Sequence, residues 1–475
     1  MKVSRRALML SAGTAALGSA LPLRRSFAET EIKEYRLTAK TAVVNLTGDG
    51  HPDTAVWTYD GTVPGPELRV RQGDPLRLVV NNKLGEDTTV HWHGIRLPNA
   101  MDGVPRLTQP PIRPGESFTY DFTPPDAGTF WYHPHADTLQ QLGRGLAGAL
   151  IVQEREPVPV DRDLLWVIED WRLDDKGRIA PGFGNRMEAG MSGRIGNTVT
   201  VNGRVRDRVS VSTGERVRLR VVNAALARIV GLRFEGHQPI VIAYDGQPCD
   251  PHAPERGRLV LGPAMRADLI IDMDGKPGQS YRVIDDFYQD LAYKLIDLAY
   301  ASEKPARDHS PDAPRRLPAN PLPEPDLATA ECHEIALQGG MMGGMGMMSS
   351  GGAMGGMGMI GMGGATWAMN GMSMTGDGQP DMPPLVTLKR GQTCVLALHN
   401  ETAWWHPMHL HGHSFRVISR NGKPNELREW RDTVLVPARE SAEIAFVADN
   451  PGDWMFHCHV TDHQEAGMMT VIRIA

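Results

Sequence analysis

The sequence is poor in cysteine, in basic clusters and in long apolar runs, and each shortage excludes a class of protein. Only four cysteines stand in 475 residues, and the spacing of Cys249, Cys332 and Cys394 is not that of a disulfide framework. We expect these three to be buried small apolar residues rather than metal ligands. No apolar run is long enough to cross a membrane. The net charge of −6 comes without a basic cluster, so neither nucleic acid nor an anionic membrane is expected as a partner.

The first 28 residues are predicted to be an export signal that is not part of the fold. Ser4-Arg5-Arg6-Ala7-Leu8-Met9 has a twin-arginine pattern, and Ser26-Phe27-Ala28 offers a cleavage site after a weakly apolar run. The alternative is an ordinary secretory leader. Cleavage removes five basic residues and no acidic one, which takes the net charge from −6 to −11. We therefore expect a soluble, monomeric periplasmic protein, exported in folded form by the twin-arginine machinery.

A repeated segment divides the rest of the chain into three parts. Each copy has a turn glycine, an apolar strand and an asparagine nine residues after the glycine, and the copies span 73–82, 214–223 and 391–400. Short strands rich in Val, Thr and aromatic residues, broken by Pro and Gly turns, are typical of β-sandwiches. The sequence predicts an all-β fold of three sandwich domains joined in part by a Pro-rich linker. The boundaries are 29–156, 157–302, 303–330 for the linker, and 331–475.

The third part contains an insertion at 339–374, in which twelve of the chain's 24 methionines stand among glycines. Such a Gly-rich run is expected to be mobile and to bury no core. It is either a surface loop without a role or a loop that collects Cu(I), because thioethers are soft ligands that suit Cu(I). We favour the copper-collecting loop, since solvent-exposed loops rarely carry so many large apolar side chains.

The tripeptide His457-Cys458-His459 can serve two metal sites on opposite sides of one backbone. It reads as a strand that runs into a loop. Successive side chains of a strand point to opposite faces, so the two histidines face one way and the cysteine the other. A cysteine thiolate with two imidazoles and a weak thioether is the ligand set of a blue, type 1 copper. The residues assigned to that set are His406, Cys458, His463 and Met468.

Eight further histidines stand in pairs spaced by two, which puts both imidazoles of a pair on one strand face. They are His91, His93, His133, His135, His409, His411, His457 and His459. A trinuclear cluster needs eight: three for each ion of a type 3 pair and two for a type 2 copper. The middle part of the chain has only the isolated His237 and His252. We therefore expect the cluster between the first and third domains, with the middle domain as a spacer.

These four histidine motifs, in this order and with the cysteine in place, resemble those of the multicopper oxidases, the family of laccases and copper-efflux oxidases. The resemblance covers essentially the whole chain after the leader and makes the sandwiches cupredoxin domains of Greek-key type. It implies four copper ions as cofactors and O₂ as co-substrate. Single electrons would arrive near His406 and His463 at the surface and pass through Cys458 to the cluster, where four of them reduce O₂ to two waters.

The resemblance also implies acids that supply protons. Asp102 matches the acid that family members place near the type 2 copper, although before Gly103 it could be only a turn former. Many bacterial members have a second acid directly after the last type 1 histidine, where this chain has Gln464. Glu465 follows, but on a strand-like segment it would point elsewhere. Asp432 is a candidate to hydrogen-bond a metal-binding residue on the side away from the metal.

Three functions compete for this chain. The first is a periplasmic oxidase that converts Cu(I) to Cu(II) in copper tolerance, and the second is a laccase-like oxidase of small phenols that stack near Trp404 or Trp405. The third is a copper-sequestering protein that works through its Met-rich insertion. Copper-efflux oxidases have an acid and a Met where this chain has Thr402 and Trp404, so that local Cu(I) site is missing. Two-domain copper nitrite reductases do not fit, because three repeats and eight histidines exceed their short chain and single type 2 centre.

Overall fold

A computed structural model describes residues 32–302, 316–341, 366–376 and 383–475. The predicted export signal, much of the predicted linker and the centre of the Met-rich insertion lie outside the described residues. The strands form six sheets, and the α-helices in these ranges are short: α1 Thr138–Gly143, α2 Arg186–Ala189 and α3 Thr461–Glu465, with 3-10 turns at Asn99–Met101 and Glu255–Gly257. None of the helices that the structure describes is long and apolar enough to cross a membrane. The predicted all-β class of three sandwiches is confirmed.

The first sandwich contains the first two paired-histidine motifs. Its strands are β1 Lys33–Val44, β2 Thr54–Tyr59, β3 Gly65–Arg71, β4 Leu76–Asn82, β5 His91–His93, β6 Ser117–Phe122, β7 Gly128–His133 and β8 Gly148–Gln153. One sheet has the order β2-β1-β4-β6 and the other β3-β8-β7-β5. β5 and β7 pair antiparallel with His91 opposite His133, so the two motifs lie side by side at one edge of the sheet.

The second sandwich is built from eleven strands that carry none of the paired histidines. They are β9 Arg162–Trp171, β10 Thr198–Val201, β11 Arg208–Val211, β12 Arg216–Asn223, β13 Val230–Phe234, β14 Ile240–Tyr244, β15 Gln247–His252, β16 Leu259–Leu261, β17 Arg266–Asp272, β18 Ser280–Asp285 and β19 Tyr293–Tyr300. The sheet orders are β10-β9-β12-β17-β14-β15 and β11-β19-β18-β13-β16. Strand β17 begins at the buried Arg266, lies inside the first of these sheets and pairs with β12 on one side and β14 on the other.

The third sandwich carries the remaining motifs on neighbouring strands. Its strands are β20 Glu331–Gly339, β21 Trp367–Met369, β22 Val386–Leu388, β23 Thr393–Asn400, β24 His406–Leu410, β25 Phe415–Arg420, β26 Lys423–Pro424, β27 Trp430–Arg431, β28 Thr433–Val436, β29 Ser441–Val447, β30 Gly452–Cys458 and β31 Met469–Ile474. β21-β20-β23-β29-β25-β26 form one sheet, with β27 on β25, and β22-β31-β30-β24-β28 the other. Antiparallel pairing of β24 with β30 sets His409 opposite His457.

The repeated segment is the same strand in each sandwich, and its asparagine closes a turn. Asn82, Asn223 and Asn400 end β4, β12 and β23 and are buried. The side-chain amide of each donates to two or three backbone carbonyls of the following loops. A buried amide must find such partners, and the loop carbonyls would otherwise lack donors. The repeat therefore marks one structural feature, a buried asparagine at the end of a strand whose side chain is hydrogen-bonded to neighbouring backbone carbonyls.

Part of the insertion is ordered, contrary to the predicted loop. β21 pairs with β20, and Trp367, Met369 and Met374 are buried. The Gly340 N–H donates to the Thr366 carbonyl over 3.2 Å, so the chain leaves and rejoins the sheet at adjacent points. The end of the insertion therefore contributes to the core of the third sandwich.

The expectation for the three non-ligand cysteines is wrong for one of them. Cys249 and Cys394 are buried, but Cys332 is exposed at the start of β20, where the strand has not yet entered the core. All four cysteines lie within the described residues and are free thiols.

Candidate metal centres

Strands from the first and third sandwiches bring the eight paired histidines into one buried group, which we call the histidine cluster. Each of the eight is at most 2% exposed. Imidazoles from the two sandwiches stack: the ring centres of His91 and His411 are 3.9 Å apart, and those of His93 and His409 are 3.7 Å apart. One apolar core also runs through both sandwiches, whereas the second sandwich has its own. The cluster therefore lies at the contact between the first and third sandwiches.

Hydrogen bonds from behind fix which nitrogen each imidazole turns toward the centre. His91 Nδ1 donates to the carbonyl oxygen of Asp102 and His409 Nδ1 to that of Asp432, both over 2.8 Å. A carbonyl can only accept, so these Nδ1 atoms carry the proton and the Nε2 atoms present lone pairs. Both Nε2 atoms are buried without a hydrogen-bond partner. Unpartnered buried lone pairs that converge on one point are what a metal cluster requires.

The contact between His411 and His457 tests most directly whether a cation fits here. Their Nε2 atoms are 3.0 Å apart. His411 Nδ1 donates to Asp102 Oδ2 over 2.8 Å and His457 Nδ1 to the Cys458 carbonyl over 3.0 Å, so both Nε2 atoms present lone pairs to each other. Two facing lone pairs repel, and a shared cation removes that repulsion. The residues present therefore fit a bound metal.

Burial keeps the imidazoles in their ligand form. Removal from water lowers the pKa of seven of them: His93, His133, His135, His409, His411, His457 and His459. Neutral imidazole is the form that binds metals. Within the cluster, three sets each bring three ligand nitrogens within 4.8 Å of one another: His91–His409–His411, His91–His93–His133 and His135–His411–His457.

The opposite face of β30 holds a second group, which we call the cysteine site. Cys458 Sγ lies 3.5 Å from His406 Nδ1 and 3.7 Å from His463 Nδ1, and the two nitrogens are 3.2 Å apart. Met468 is buried, and its backbone bonds both to Cys458 N and to the His463 carbonyl. Burial raises the pKa of the Cys458 thiol, so its thiolate forms near neutral pH only beside a bound cation. Soft sulfur with two imidazoles suits copper.

The two histidines of the cysteine site are not at the surface, and that prediction is wrong. His463 Nε2 donates to the backbone carbonyl of Met191 over 2.7 Å. The indole of Trp367 packs against both imidazoles, tilted on His463 with ring centres 4.3 Å apart and edge-on to His406 with ring centres 5.1 Å apart. The same indole donates to the Ala189 carbonyl over 2.6 Å. A segment of the second sandwich and the end of the Met-rich insertion thus cover the site together.

Thr402 occupies the position of the acid that copper-efflux oxidases place near the type 1 histidine. Its Oγ1 lies 2.8 Å from His406 Nε2 and 2.7 Å from Asn400 Oδ1. Because the amide oxygen can only accept, the hydroxyl donates to Asn400 and accepts from His406. Thr402 therefore fixes the His406 tautomer, with Nδ1 free toward Cys458, but brings no charge.

Asp102 lies behind the histidine cluster and touches one histidine from each sandwich. Its Oδ2 accepts from His411 Nδ1, and its carbonyl accepts from His91 Nδ1. Gln464 is buried, with Nε2 3.4 Å from Thr138 Oγ1 of α1. The predicted loop after Cys458 is instead the helix α3, so the half-buried Glu465 is turned away from Gln464 by helical geometry.

Arg266 of the second sandwich is the functional candidate that the sequence analysis missed. It donates to both carboxylate oxygens of Asp432, over 2.7 and 2.6 Å, and Asp432 Oδ1 lies 3.2 Å from His93 Nε2. Burial acts to raise the pKa of Asp432, but Arg266 and His409 outweigh it and hold that pKa below its usual range. The middle sandwich is therefore not only a spacer. The sequence feature that could have indicated Arg266 is a basic residue at the start of an apolar strand, Arg266-Ala267-Asp268-Leu269-Ile270-Ile271.

Known proteins resemble this chain along nearly its whole length. Family profiles described as multicopper oxidase match residues 40–157, 163–304 and 359–475. Multicopper oxidase MmcO of Mycobacterium tuberculosis is 30% identical over 467 residues, which cover 91% of this chain and 85% of that protein. Laccase-1 of Fomitopsis schrenkii is 30% identical over 482 residues, 91% of this chain and 84% of its own. The crystal structure of a multi-copper oxidase from Pseudomonas thermotolerans superposes with a TM-score of 0.81 at 36% identity, covering 94% of this chain and all of that one.

Proposed function

Because this chain belongs to the multicopper oxidase family, we propose that it is a periplasmic enzyme that oxidises Cu(I) to Cu(II) with O₂ as electron acceptor. The four copper ions of the family would supply the one-electron chemistry and the four-electron reduction of O₂ when bound. Two groups of residues would hold them: the cysteine site with Met468 for one ion, and the histidine cluster for three. Asp102 would hold a proton next to His411.

The covered edge of His463 is the observation that carries the choice of Cu(I). A phenol that reduces an imidazole-bound metal gains most from a hydrogen bond to the exposed imidazole nitrogen. Here that nitrogen is already satisfied by the Met191 carbonyl, and the ring face is packed against Trp367. A phenol hydroxyl would have to displace a buried hydrogen bond, which costs about 1–3 kcal/mol if the carbonyl is left without a partner.

Two methionines are exposed to solvent near the segments that cover His463. Met187 is 62% exposed and Met341 is 53% exposed. The Met341 N–H donates to the Gly190 carbonyl over 2.8 Å, directly before Met191. Large apolar side chains are seldom this exposed without a reason, and thioether sulfur prefers Cu(I) to harder cations. A cuprous ion held there would pass its electron through the Met191 peptide and the His463 imidazole to the copper ion that the cysteine site would hold.

The centre of the Met-rich insertion would collect Cu(I) for this surface. Eight methionines stand at 342, 345, 347, 348, 354, 357, 359 and 362, outside the described residues. The neck between Gly340 and Thr366 is closed by a backbone hydrogen bond. Both ends of this segment are therefore attached next to the exposed Met341, which supports delivery of a soft cation to that thioether.

Deleting residues 342–364 and closing the neck with a Gly-Ser turn is expected to weaken Cu(I) oxidation and to spare phenol oxidation. The deletion leaves β20, β21 and all proposed ligands in place, so we expect a KM for Cu(I) raised about tenfold or more with a nearly unchanged kcat. The measurement is O₂ uptake by the fully copper-loaded protein, with Cu(I) and with a small phenol as reductants.

A matched control keeps the insertion but changes its eight methionines to leucine, which preserves length and apolarity while removing sulfur. If thioethers are the ligands, this variant behaves like the deletion. Unchanged Cu(I) kinetics in both variants, together with poorer phenol kinetics, would make the insertion a lid on an organic-substrate pocket. Tight Cu(I) binding without O₂ uptake in the parent would instead identify a copper-sequestering protein.

Oxidation of phenols is the second candidate, and one observation favours it. Trp405, next to His406, is 37% exposed and packs edge-on against Phe287, with ring centres 5.3 Å apart. An exposed, fixed indole is a good stacking surface for a phenol. The phenol arm of the same O₂-uptake assay measures this activity directly.

Changing Arg5 and Arg6 to lysine is expected to retain the protein in the cytoplasm with its first 28 residues attached. A twin-arginine signal is read by a receptor, and lysine cannot reproduce the planar guanidinium. Cell fractionation and N-terminal sequencing make the measurement. Export of the double variant in normal yield would show an ordinary secretory leader, for which any two basic residues suffice.

A further inference from the structure

We propose that Arg266, on the middle sandwich, is a positioning residue for the histidine cluster: through Asp432 it determines which nitrogen His93 turns toward the metal. The inference goes beyond the choice of reductant and does not depend on it. It gives the middle sandwich, which supplies no proposed ligand, a part in oxygen reduction.

His93 differs from its neighbours in the nitrogen that it leaves free. Five cluster imidazoles place Nδ1 against an acceptor and leave Nε2 toward the centre: His91, His133, His409, His411 and His457. In His93 the order is reversed, because Nε2 lies 3.2 Å from Asp432 Oδ1 and Nδ1 is buried without a hydrogen-bond partner. The Asp432 carboxylate accepts a hydrogen bond from the protonated Nε2 of His93, so only Nδ1 has a lone pair that can bind a metal.

Arg266 fixes the carboxylate that makes this selection. The guanidinium donates to both oxygens of Asp432 in the bidentate geometry that orients a carboxylate plane. Arg266 is itself held at two points. Its side-chain Nε donates to the Thr129 carbonyl over 3.2 Å, and its backbone N–H donates to Asp245 Oδ1 over 2.8 Å. Both Arg266 and Asp432 are fully buried. Because neither side chain is accessible to solvent, bulk water does not replace a lost partner of either group.

The effect of Arg266 extends to a second cluster histidine. Asp432 Oδ1 also lies 2.8 Å from Thr433 Oγ1, which is 3.1 Å from His409 Nδ1. His409 and His93 are the pair that stack with ring centres 3.7 Å apart. A rotation of the Asp432 carboxylate would therefore disturb one histidine of the first sandwich and one of the third together.

The competing explanation is that Arg266 forms only a structural ion pair. The same sheet offers a matched example in Arg218 of β12, which is buried against Asp268 at 2.6 Å and Glu154 at 2.7 Å. No hydrogen bond or ion pair in the described residues joins Arg218 to a cluster histidine. Breaking either pair leaves a buried charge and destabilises the fold. Only Arg266 should change the spectroscopy of the cluster.

The test compares Arg266→Lys, Arg266→Gln and Asp432→Asn with Arg218→Lys in copper-loaded protein. We expect the first three to keep the blue band and normal reduction of the type 1 copper. They should change the spectra of the histidine cluster, read as the type 2 electron paramagnetic resonance signal together with the near-ultraviolet absorption of the type 3 pair. They should also lower reoxidation by O₂ about 10–100-fold, as losses of partners behind metal ligands do. The Arg218→Lys variant should lose thermal stability alone.

The double variant Arg266→Gln/Asp432→Asn is expected to be little worse than either single variant, because both act on the same contact. Parental spectra of the histidine cluster and parental reoxidation rates in the Arg266 variants, with only a lower Tm, would overturn the proposal. If neither Arg266 variant folds while Arg218→Lys does, Asp432→Asn decides: altered spectra of the histidine cluster support the proposal and parental spectra refute it.

Discussion

The variant Cys458→Ser is expected to be colourless and inactive toward any reductant, yet to retain three of the four copper ions that the parent binds. Charge transfer from a thiolate makes a type 1 copper blue, and a serine hydroxyl cannot replace that soft ligand. The same residue joins the two sites, because its flanking histidines lie on the opposite face of β30 and its carbonyl accepts a hydrogen bond from His457. Absorption spectra, metal analysis and O₂ uptake measure the three effects.

Cys394→Ser is the matched control for this variant. Cys394 is equally buried, but it lies on β23 in the other sheet of the third sandwich, and no hydrogen bond among the described residues joins its thiol to a proposed ligand. It should lose some stability and keep colour, copper content and activity. A blue and active Cys458→Ser protein would refute the ligand assignment, as would a reconstituted parent that binds only one or two copper ions.

Replacing Asp102 with asparagine is expected to slow reoxidation by O₂ about 100-fold, while the type 1 copper is still reduced at the parental rate. Asparagine keeps the shape of the side chain but removes the carboxylate that accepts from His411 Nδ1 and could pass a proton toward the cluster. A positioned acid or base contributes roughly 10²–10⁴-fold to a proton-dependent step. Stopped-flow reduction under argon, followed by mixing with O₂, separates the two half-reactions.

Asp126→Asn offers the corresponding control. Asp126 is a buried carboxylate of the same sandwich that pairs with Arg96 over 2.8 and 3.0 Å and lies outside the histidine cluster. Its loss should affect stability without changing reoxidation. If Asp102→Asn reoxidises as fast as the parent, Asp102 serves only to close the turn before Gly103.

Local patterns were sufficient to predict much of this protein. Alternation along a strand separates Cys458 from His457 and His459 whatever the tertiary structure, and β30 has that alternation. The repeat with its terminal asparagine predicted three sandwiches because Asn82, Asn223 and Asn400 each complete a turn that every copy needs. These features depend on residues close together in the chain, so the sequence alone contains them.

The parts that the sequence did not reveal depend on contacts between distant segments. The residues that cover His463 include Met191, which contributes its backbone carbonyl. Nearly every residue type has the same carbonyl, so the sequence does not indicate this contact. Arg266 and Asp432 are 166 positions apart. An ion pair between two sandwiches produces no repeating sequence pattern by which it could be predicted. Helix α3 replaces the predicted loop because Thr461 to Glu465 pack against α1, a preference that so short a segment does not have in isolation.

The histidine cluster joins two sandwiches whose ligands are hundreds of positions apart, which couples copper concentration to the folding equilibrium. His91 and His411 come together only in the native arrangement, so an ion bound between them favours the folded state over the unfolded one by mass action. At a hundred times the dissociation constant, each such ion adds about 2.7 kcal/mol to the free energy of unfolding. The protein is thus most resistant to heat and proteolysis when the metal is abundant, and is removed most readily when copper is scarce.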